Sequence, residues 1–180
     1  MRSLRASLPV ISVVLAACSP ALAATAPIGQ EPKSPPMPIE VVAALRSELI
    51  PAPDSPTGYG PRFNGDGYAE LLDWNRLIVP ATSWSDGYEA IDIMLPCCQA
   101  VHPNRDETLN CGCGHHQALY GAAKGLLARG YDLDRVQAEI DRWKGFFFPE
   151  ERLLAELERR SLTDPVYREA LGQFKTQGLC

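Results

Sequence analysis

Residues 115–150 read HHQALYGAAKGLLARGYDLDRVQAEIDRWKGFFFPE, and this stretch decides the fold. Its large apolar residues recur at helical spacing on both sides of a break at Gly130. Gly130 is placed to end one helix, and Asp132 or Asp134 to begin the next. Pro149 suits the first turn of a third helix, where a missing N–H does no harm. The stretch therefore predicts consecutive helices over 115–129, 133–147 and 149–160.

The same helical signals continue outward from this stretch. Thr163 and Asp164 form a cap followed by Pro165, which is typical of a helix start. Further helices are predicted over 39–49, 67–78, 86–95 and 164–175. No alternating apolar pattern is long enough to predict a sheet, so the fold class is mainly α: a small irregular helical domain with long loops. We expect its aromatic residues in the core: Trp74, Trp84, Trp143, Phe146, Phe147 and Phe148.

The N-terminus has the parts of an export signal. Arg2 and Arg5 precede an apolar run over residues 6–17, which is too short to span a bilayer because a spanning helix needs about 20 residues. The run ends in Leu15-Ala16-Ala17-Cys18, a sequence typical of bacterial lipoproteins, in which the cysteine becomes the acylated first residue. Ordinary cleavage after Ala21-Leu22-Ala23 is the alternative. Both interpretations predict export.

This signal sets the expected organisation of the chain. We predict a signal peptide over 1–17 with lipidation at Cys18, a disordered Pro-rich tether over 18–38, and a single helical domain over 39–180. The protein is then exported and held in the cell envelope, facing the periplasm or the outside, with the membrane as a partner through its lipid. The formal net charge of −5 argues against nucleic acid as a partner, because an acidic chain has no long-range attraction for phosphate.

Four cysteines and three histidines lie in the part of the predicted domain over 97–116, and two of the histidines directly follow the last cysteines. Thiolate and imidazole are soft ligands that suit Cu⁺ or Zn²⁺, whereas Ca²⁺ and Mg²⁺ prefer carboxylates. Since neighbouring helical side chains point about 100° apart, we expect only one of the adjacent histidines to bind the ion. His102 is the weakest candidate. The sequence predicts a metal site formed by Cys97, Cys98, Cys111, Cys113 and either His115 or His116.

Alternatives to a metal site remain open from the sequence. Exported proteins commonly hold cysteines as disulfides, so the chain is alternatively a disulfide-stapled binding or structural module, or a thiol–disulfide redox protein. Cys113 and His116 formally offer a nucleophilic pair, but no recognised catalytic motif accompanies them, so we do not expect an enzyme. The role of Cys180 stays open as well.

Two strings resemble a known family. Ile93-Met94-Leu95-Pro96-Cys97-Cys98 and Asn110-Cys111-Gly112-Cys113-Gly114-His115 resemble the bacterial lipoproteins named for their PCYCGC motif, and the helical segment up to Trp143 is similar to the one that follows in that family. The resemblance covers roughly residues 88–147. It departs from the family pattern because an insertion splits the motif and Cys98 directly follows Cys97. The resemblance implies a Cys/His, metal-related role in the cell envelope and no settled reaction.

Overall fold

The computed structural model describes residues 37–81 and 85–176. These residues form seven α-helices and one 3₁₀ turn, with two isolated β-bridges and no strand among them. The helices are α1 (Pro38–Leu49), α2 (Gly65–Leu77), α3 (Ser85–Tyr88), α4 (Gly114–Ala128), α5 (Leu133–Phe147), α6 (Pro149–Ser161) and α7 (Pro165–Thr176), and the 3₁₀ turn is Glu107–Leu109. The predicted mainly α fold is confirmed.

The local start and stop signals act as the sequence predicts. Gly130 has a φ of 81°, and its N–H donates to the Leu127 carbonyl at 2.9 Å, which closes the last turn of α4. Asp132 caps α5, since its carboxylate accepts the Arg135 N–H at 2.8 Å. Asp164 likewise accepts the Val166 N–H at 2.9 Å at the start of α7. These caps fix where the chain turns between the C-terminal helices.

The first hydrophobic cluster is formed by α2, α4 and α5 together with side chains from the preceding loops. Trp143 is fully buried and donates from Nε1 to the Tyr59 hydroxyl at 2.8 Å, while Trp74 is only 9% exposed. The core placement predicted for these two residues is therefore confirmed. Phe146, Phe147 and Phe148 are half-buried and pack against the same cluster. This packing supplies the rigid base on which α4 presents its N-terminus.

The second cluster is formed by α1, α6 and α7 around side chains such as Leu45 and Leu157. A charged network covers its edge. Glu156 accepts hydrogen bonds from Arg159 and Arg160, and these bonds lower the pKa of the carboxyl to about 2. Arg160 also reaches Glu48 on α1. The ion pairs thus link α6 to α1 beside the apolar contacts.

The predicted helix over 86–95 is wrong. Helix α3 ends at Tyr88, and the chain then runs extended, with Ile91, Ile93 and Leu95 buried and the two intervening side chains exposed. Spacing by two places every buried side chain on one side of an extended segment. Gln137 on α5 holds this segment, because its amide accepts the Asp92 N–H at 2.8 Å and donates to the Asp92 carbonyl at 3.0 Å. Tertiary hydrogen bonds therefore replace helical ones.

Helix α1 begins at Pro38, the last residue assigned to the tether, because proline suits the first helical position. Within the described ranges, no helix combines the length and the apolar character needed to cross a bilayer. Five predictions concern residues outside those ranges: the signal over 1–17, lipidation at Cys18, the tether up to residue 36, the core placement of Trp84 and the role of Cys180.

Candidate metal centre

The first cysteine pair lies in a turn and not at a helix end. The Cys98 N–H donates to the Leu95 carbonyl at 3.2 Å, which folds the chain back directly after the extended segment. Pro96 lies inside this turn, where its fixed φ is compatible with the bend. Because the predicted helix over 86–95 is absent, Cys97 and Cys98 do not follow a helix. The turn nevertheless brings both sulfurs towards the N-terminus of α4.

The second cysteine pair lies at the start of α4, as the sequence predicts. Cys113 is the N-cap residue, and its carbonyl accepts the Gln117 N–H at 3.0 Å. Unpaired N–H groups and the macrodipole at a helix N-terminus favour negative charge on nearby sulfur. Gly114 follows directly, and a side chain there would overlap the Tyr68 hydroxyl. The glycine therefore lets the loop approach α2 closely.

Hydrogen bonds hold the backbone of Cys111 on both sides. Its N–H donates to the Tyr120 hydroxyl at 3.0 Å, and its carbonyl accepts from the Gln117 amide at 2.9 Å. Asn75 on α2 in turn donates to Gln117. Burial raises the pKa of Tyr120 to about 12, so this residue remains a neutral phenol near pH 7. Cys111 is thus fixed by side chains from α4 and, through Asn75, by α2.

The thiols converge with His116 in two groups of three. Cys97, Cys113 and His116 form one group, and Cys98, Cys111 and His116 form the other. Within each group the ligand atoms lie within 4.8 Å of one another. Each group takes one cysteine from the turn and one from the start of α4. The structure therefore brings the two predicted cysteine pairs together, with adjacent cysteines assigned to different groups.

The separation of the two sulfurs in the first group suits coordination. The sulfurs of Cys97 and Cys113 are 3.9 Å apart, and the Cys113 sulfur is 3.1 Å from His116 Nδ1. Two thiolates on one tetrahedral Zn²⁺ lie about 3.8 Å apart, given a Zn–S bond of about 2.3 Å. A disulfide bond is only about 2.05 Å long. All four cysteines of the cluster are free thiols, with Cys97 exposed and the others half-buried.

His116 is the buried donor of the cluster. Its side chain is fully buried, and this burial lowers the pKa of the imidazole, an effect that the backbone of Ala100 and Ile93 partly offsets. The ring is therefore neutral near pH 7 and keeps one nitrogen lone pair for a metal. Nε2 is buried and lacks a hydrogen bond of good geometry within the described part of the chain. The other ring nitrogen, Nδ1, faces the thiols, since it lies 3.1 Å from the Cys113 sulfur.

The sequence left His115 and His116 as alternative ligands, and His115 does not belong to either group. Its ring packs against Phe147 and Phe148, with ring centres 4.9 Å and 5.0 Å apart. The reason is the rotation of about 100° between adjacent helical residues, which turns His115 to α5 when His116 faces the cysteines. His102 also lies apart from both groups, and its Nδ1 is 2.9 Å from the Ile91 carbonyl oxygen.

Sequence reasoning missed the residues that support the cluster. Gln117 and Tyr120 follow Cys113 and His116 by four positions, so both lie on the side of α4 that carries the site. This spacing of four positions could have identified both residues from the sequence. Lys124, one further turn along, is only 1% exposed, pairs with Glu107 and donates to the Asn75 carbonyl at 2.9 Å. No sequence pattern identifies Lys124 as a buried residue, because lysine normally lies on the surface.

The chain was compared with models of protein families, with curated proteins and with solved structures, and none of them matches it.

Proposed function

We propose that this protein binds a soft metal ion, Cu⁺ or Zn²⁺, through a sulfur-rich cluster. The donors are Cys97, Cys98, Cys111, Cys113 and His116. The observation that carries the proposal is the convergence of all four thiols with one buried imidazole, in two groups whose ligand atoms lie within 4.8 Å. These thiols come from two segments separated by more than ten residues, so their meeting is a property of the fold.

The donor chemistry supports a soft ion over a hard one. Each group offers two sulfurs and one nitrogen, whereas Ca²⁺ and Mg²⁺ require oxygen ligands. The neutral, buried ring of His116 has the protonation state that a metal ligand needs. Cys113 lies at the N-terminus of α4, where the helix dipole is favourable for the negative charge of a metal-bound sulfur.

A second candidate function is thiol–disulfide exchange, and the pair Cys97 and Cys113 favours it. Their sulfurs are 3.9 Å apart, Cys97 is exposed, and His116 Nδ1 lies beside the Cys113 sulfur. An exposed thiol beside a second thiol is the arrangement that exchange requires. The second pair, Cys98 and Cys111, has no role in this function, which is why metal binding accounts for more of the cluster.

The proposed location is the cell envelope, with the chain exported and anchored through a lipid on Cys18. This rests on the charged start, the short apolar run and the cysteine that follows it. The resemblance to PCYCGC lipoproteins would place the metal role in the same compartment. Mass spectrometry of the mature N-terminus tests the anchor: an acylated Cys18 supports it, and an unmodified start at Ala24 contradicts it.

The test of metal binding is purification of the chain without oxygen, followed by metal analysis and thiol counting on the same sample. We expect at least one equivalent of Cu or Zn to be retained, and all four cluster thiols to react once a chelator removes it. Absence of metal together with lost thiols would instead support disulfides. Reversible cycling at a mild potential, without metal, would support exchange.

Adjacent histidines offer a matched pair of variants for the same test. His116→Ala removes a donor of both groups, so metal retention should fall, whereas His115→Ala leaves every donor in place and should retain the metal. Circular dichroism of both variants checks that the helices persist. Equal metal retention in the two variants would contradict the assignment of His116.

A further inference from the structure

We propose that the cluster holds two Cu⁺ ions, one on Cys97 and Cys113 and one on Cys98 and Cys111. This inference rests on the proposed metal-binding function and adds the identity and number of the ions. His116 serves the first ion as a third ligand. Each ion is then held by one cysteine from the turn after Leu95 and one from the start of α4, so binding of either ion closes the two segments together.

The five donors are divided between two groups. Among the described residues, the five donors form two groups of three that share only His116, and they do not form one group within the same 4.8 Å limit. A tetrahedral ion with four thiolates needs all of its sulfurs mutually about 3.8 Å apart. The sulfurs instead fall into two pairs, each of which joins the two segments. Two pairs of donors provide for two ions.

The number of ligands in each group suits Cu⁺ better than Zn²⁺. Structural Zn²⁺ takes four protein ligands, whereas Cu⁺, a soft ion with a filled d shell, is satisfied by two or three. The separation of 3.9 Å between the Cys97 and Cys113 sulfurs lies between the values of about 3.8 Å for a tetrahedral ion and about 4.0 Å for a trigonal one, given metal–sulfur bonds of about 2.3 Å, so it fits an ion with three ligands as well as one with four. His116 Nδ1, beside the Cys113 sulfur, is available as a third donor.

Charge and protons balance without any electron transfer. Each Cu⁺ displaces the protons of two thiols, which pass to solvent, so two ions on four thiolates leave a net charge of −2 on the cluster. The N-terminus of α4, with Cys113 as its N-cap, lies where it stabilises that negative charge. The second ion needs only the thiolates of Cys98 and Cys111, so one shared imidazole does not have to bridge the two ions.

The experiment is a titration of the reduced full chain with Cu⁺, without oxygen, in competition with a coloured Cu⁺ chelator. Cys18→Ser and Cys180→Ser give a parent whose only thiols are the four of the cluster. We expect the parent to bind two equivalents. Cys97→Ser and Cys98→Ser should each bind one, and the double variant none. His116→Ala should weaken one of the two ions, whereas His115→Ala should keep the parent titration.

The outcomes separate this inference from the proposed function. Saturation of the parent at one equivalent, lost in Cys97→Ser and in Cys98→Ser alike, would overturn the two-ion arrangement and leave a single metal site. Retention of Zn²⁺ without Cu⁺ would overturn only this inference, whereas a parent that retains neither ion would overturn the proposed function itself. X-ray absorption of the loaded parent gives a second measurement that needs no variant: two or three S/N ligands per copper support the inference, and four contradict it.

Discussion

Gly121 on α4 offers a sharp test of how closely α2 and α4 pack. A Cβ at this position would overlap the Leu71 carbonyl oxygen and lie 2.8 Å from the Leu71 carbonyl carbon and 3.0 Å from the Asn75 nitrogen. All three are backbone atoms of α2, so no side chain can rotate away to make room. Gly121→Ala must therefore displace one helix against the other.

The change in the free energy of unfolding on Gly121→Ala has a favourable and an unfavourable part. Alanine gains about 1 kcal/mol over glycine in a helix interior. Overpacking a close-packed interface costs about 1–3 kcal/mol, and a contact with helical backbone lies at or above the upper end of that range. We expect a net destabilisation of about 2 kcal/mol, which lowers the Tm by about 4–8 °C for a chain of this size.

Urea unfolding and thermal melts followed by circular dichroism measure the effect, and Gly172→Ala is the matched control. Gly172 lies in α7, and a Cβ there would meet nothing within 4 Å. This second substitution keeps only the favourable term and should stabilise the protein by up to about 1 kcal/mol. If Gly121→Ala is as stable as the parent chain, the close approach of α2 and α4 is not present in solution.

Three further predictions concern the support of the site and the charged groups. Tyr120→Phe removes the acceptor of the Cys111 N–H, so metal affinity in chelator competition should fall by about 10–100-fold, and unchanged affinity would contradict this role. Lys124→Met replaces a buried charge by an apolar side chain, whereas Glu107→Ala keeps the Lys124 ammonium buried with the Asn75 carbonyl but without the Glu107 carboxylate. Urea unfolding should therefore show a smaller loss of stability for Lys124→Met, and the reverse order would refute this expectation. The lowered pKa of Glu156 means that its contribution to stability is complete above about pH 4.5 and is lost as the pH falls towards 2. In Glu156→Gln the free energy of unfolding should therefore fall less steeply with decreasing pH than in the parent chain. Identical slopes in the two proteins would exclude this contribution.

The C-terminal helices could be predicted from the sequence because their signals are local. A positive φ at Gly130, a cap at Asp132 and a proline at position 149 act within one turn of the chain. The segment 89–95 could not be predicted in this way. Ile91 and Leu95 are four apart, which also suits a helix, and the choice is made by hydrogen bonds from the distant Gln137 to Asp92.

The candidate site, like the fold, could be predicted from the sequence only in part. The residue types that gather were predictable, because the cysteines and histidines lie in two short segments beside a predicted helix start. Their pairing was not, since it depends on how the turn at Leu95 and Cys98 is placed against the N-cap of α4. The choice between His115 and His116 likewise depends on which side of α4 faces α5, and this is settled by packing.

Hydrogen bonds of one residue connect the contact between α2 and α4 to the side chains that support the site. Asn75 lies beside Gly121, accepts from Lys124 through its carbonyl and donates to Gln117, whose amide holds the Cys111 carbonyl. A displacement of α2 at Gly121 therefore reaches Cys111, one of the proposed ligands, through two hydrogen bonds. Because metal geometry tolerates little displacement of a ligand, loosening this helix contact should weaken metal binding while the protein is still folded.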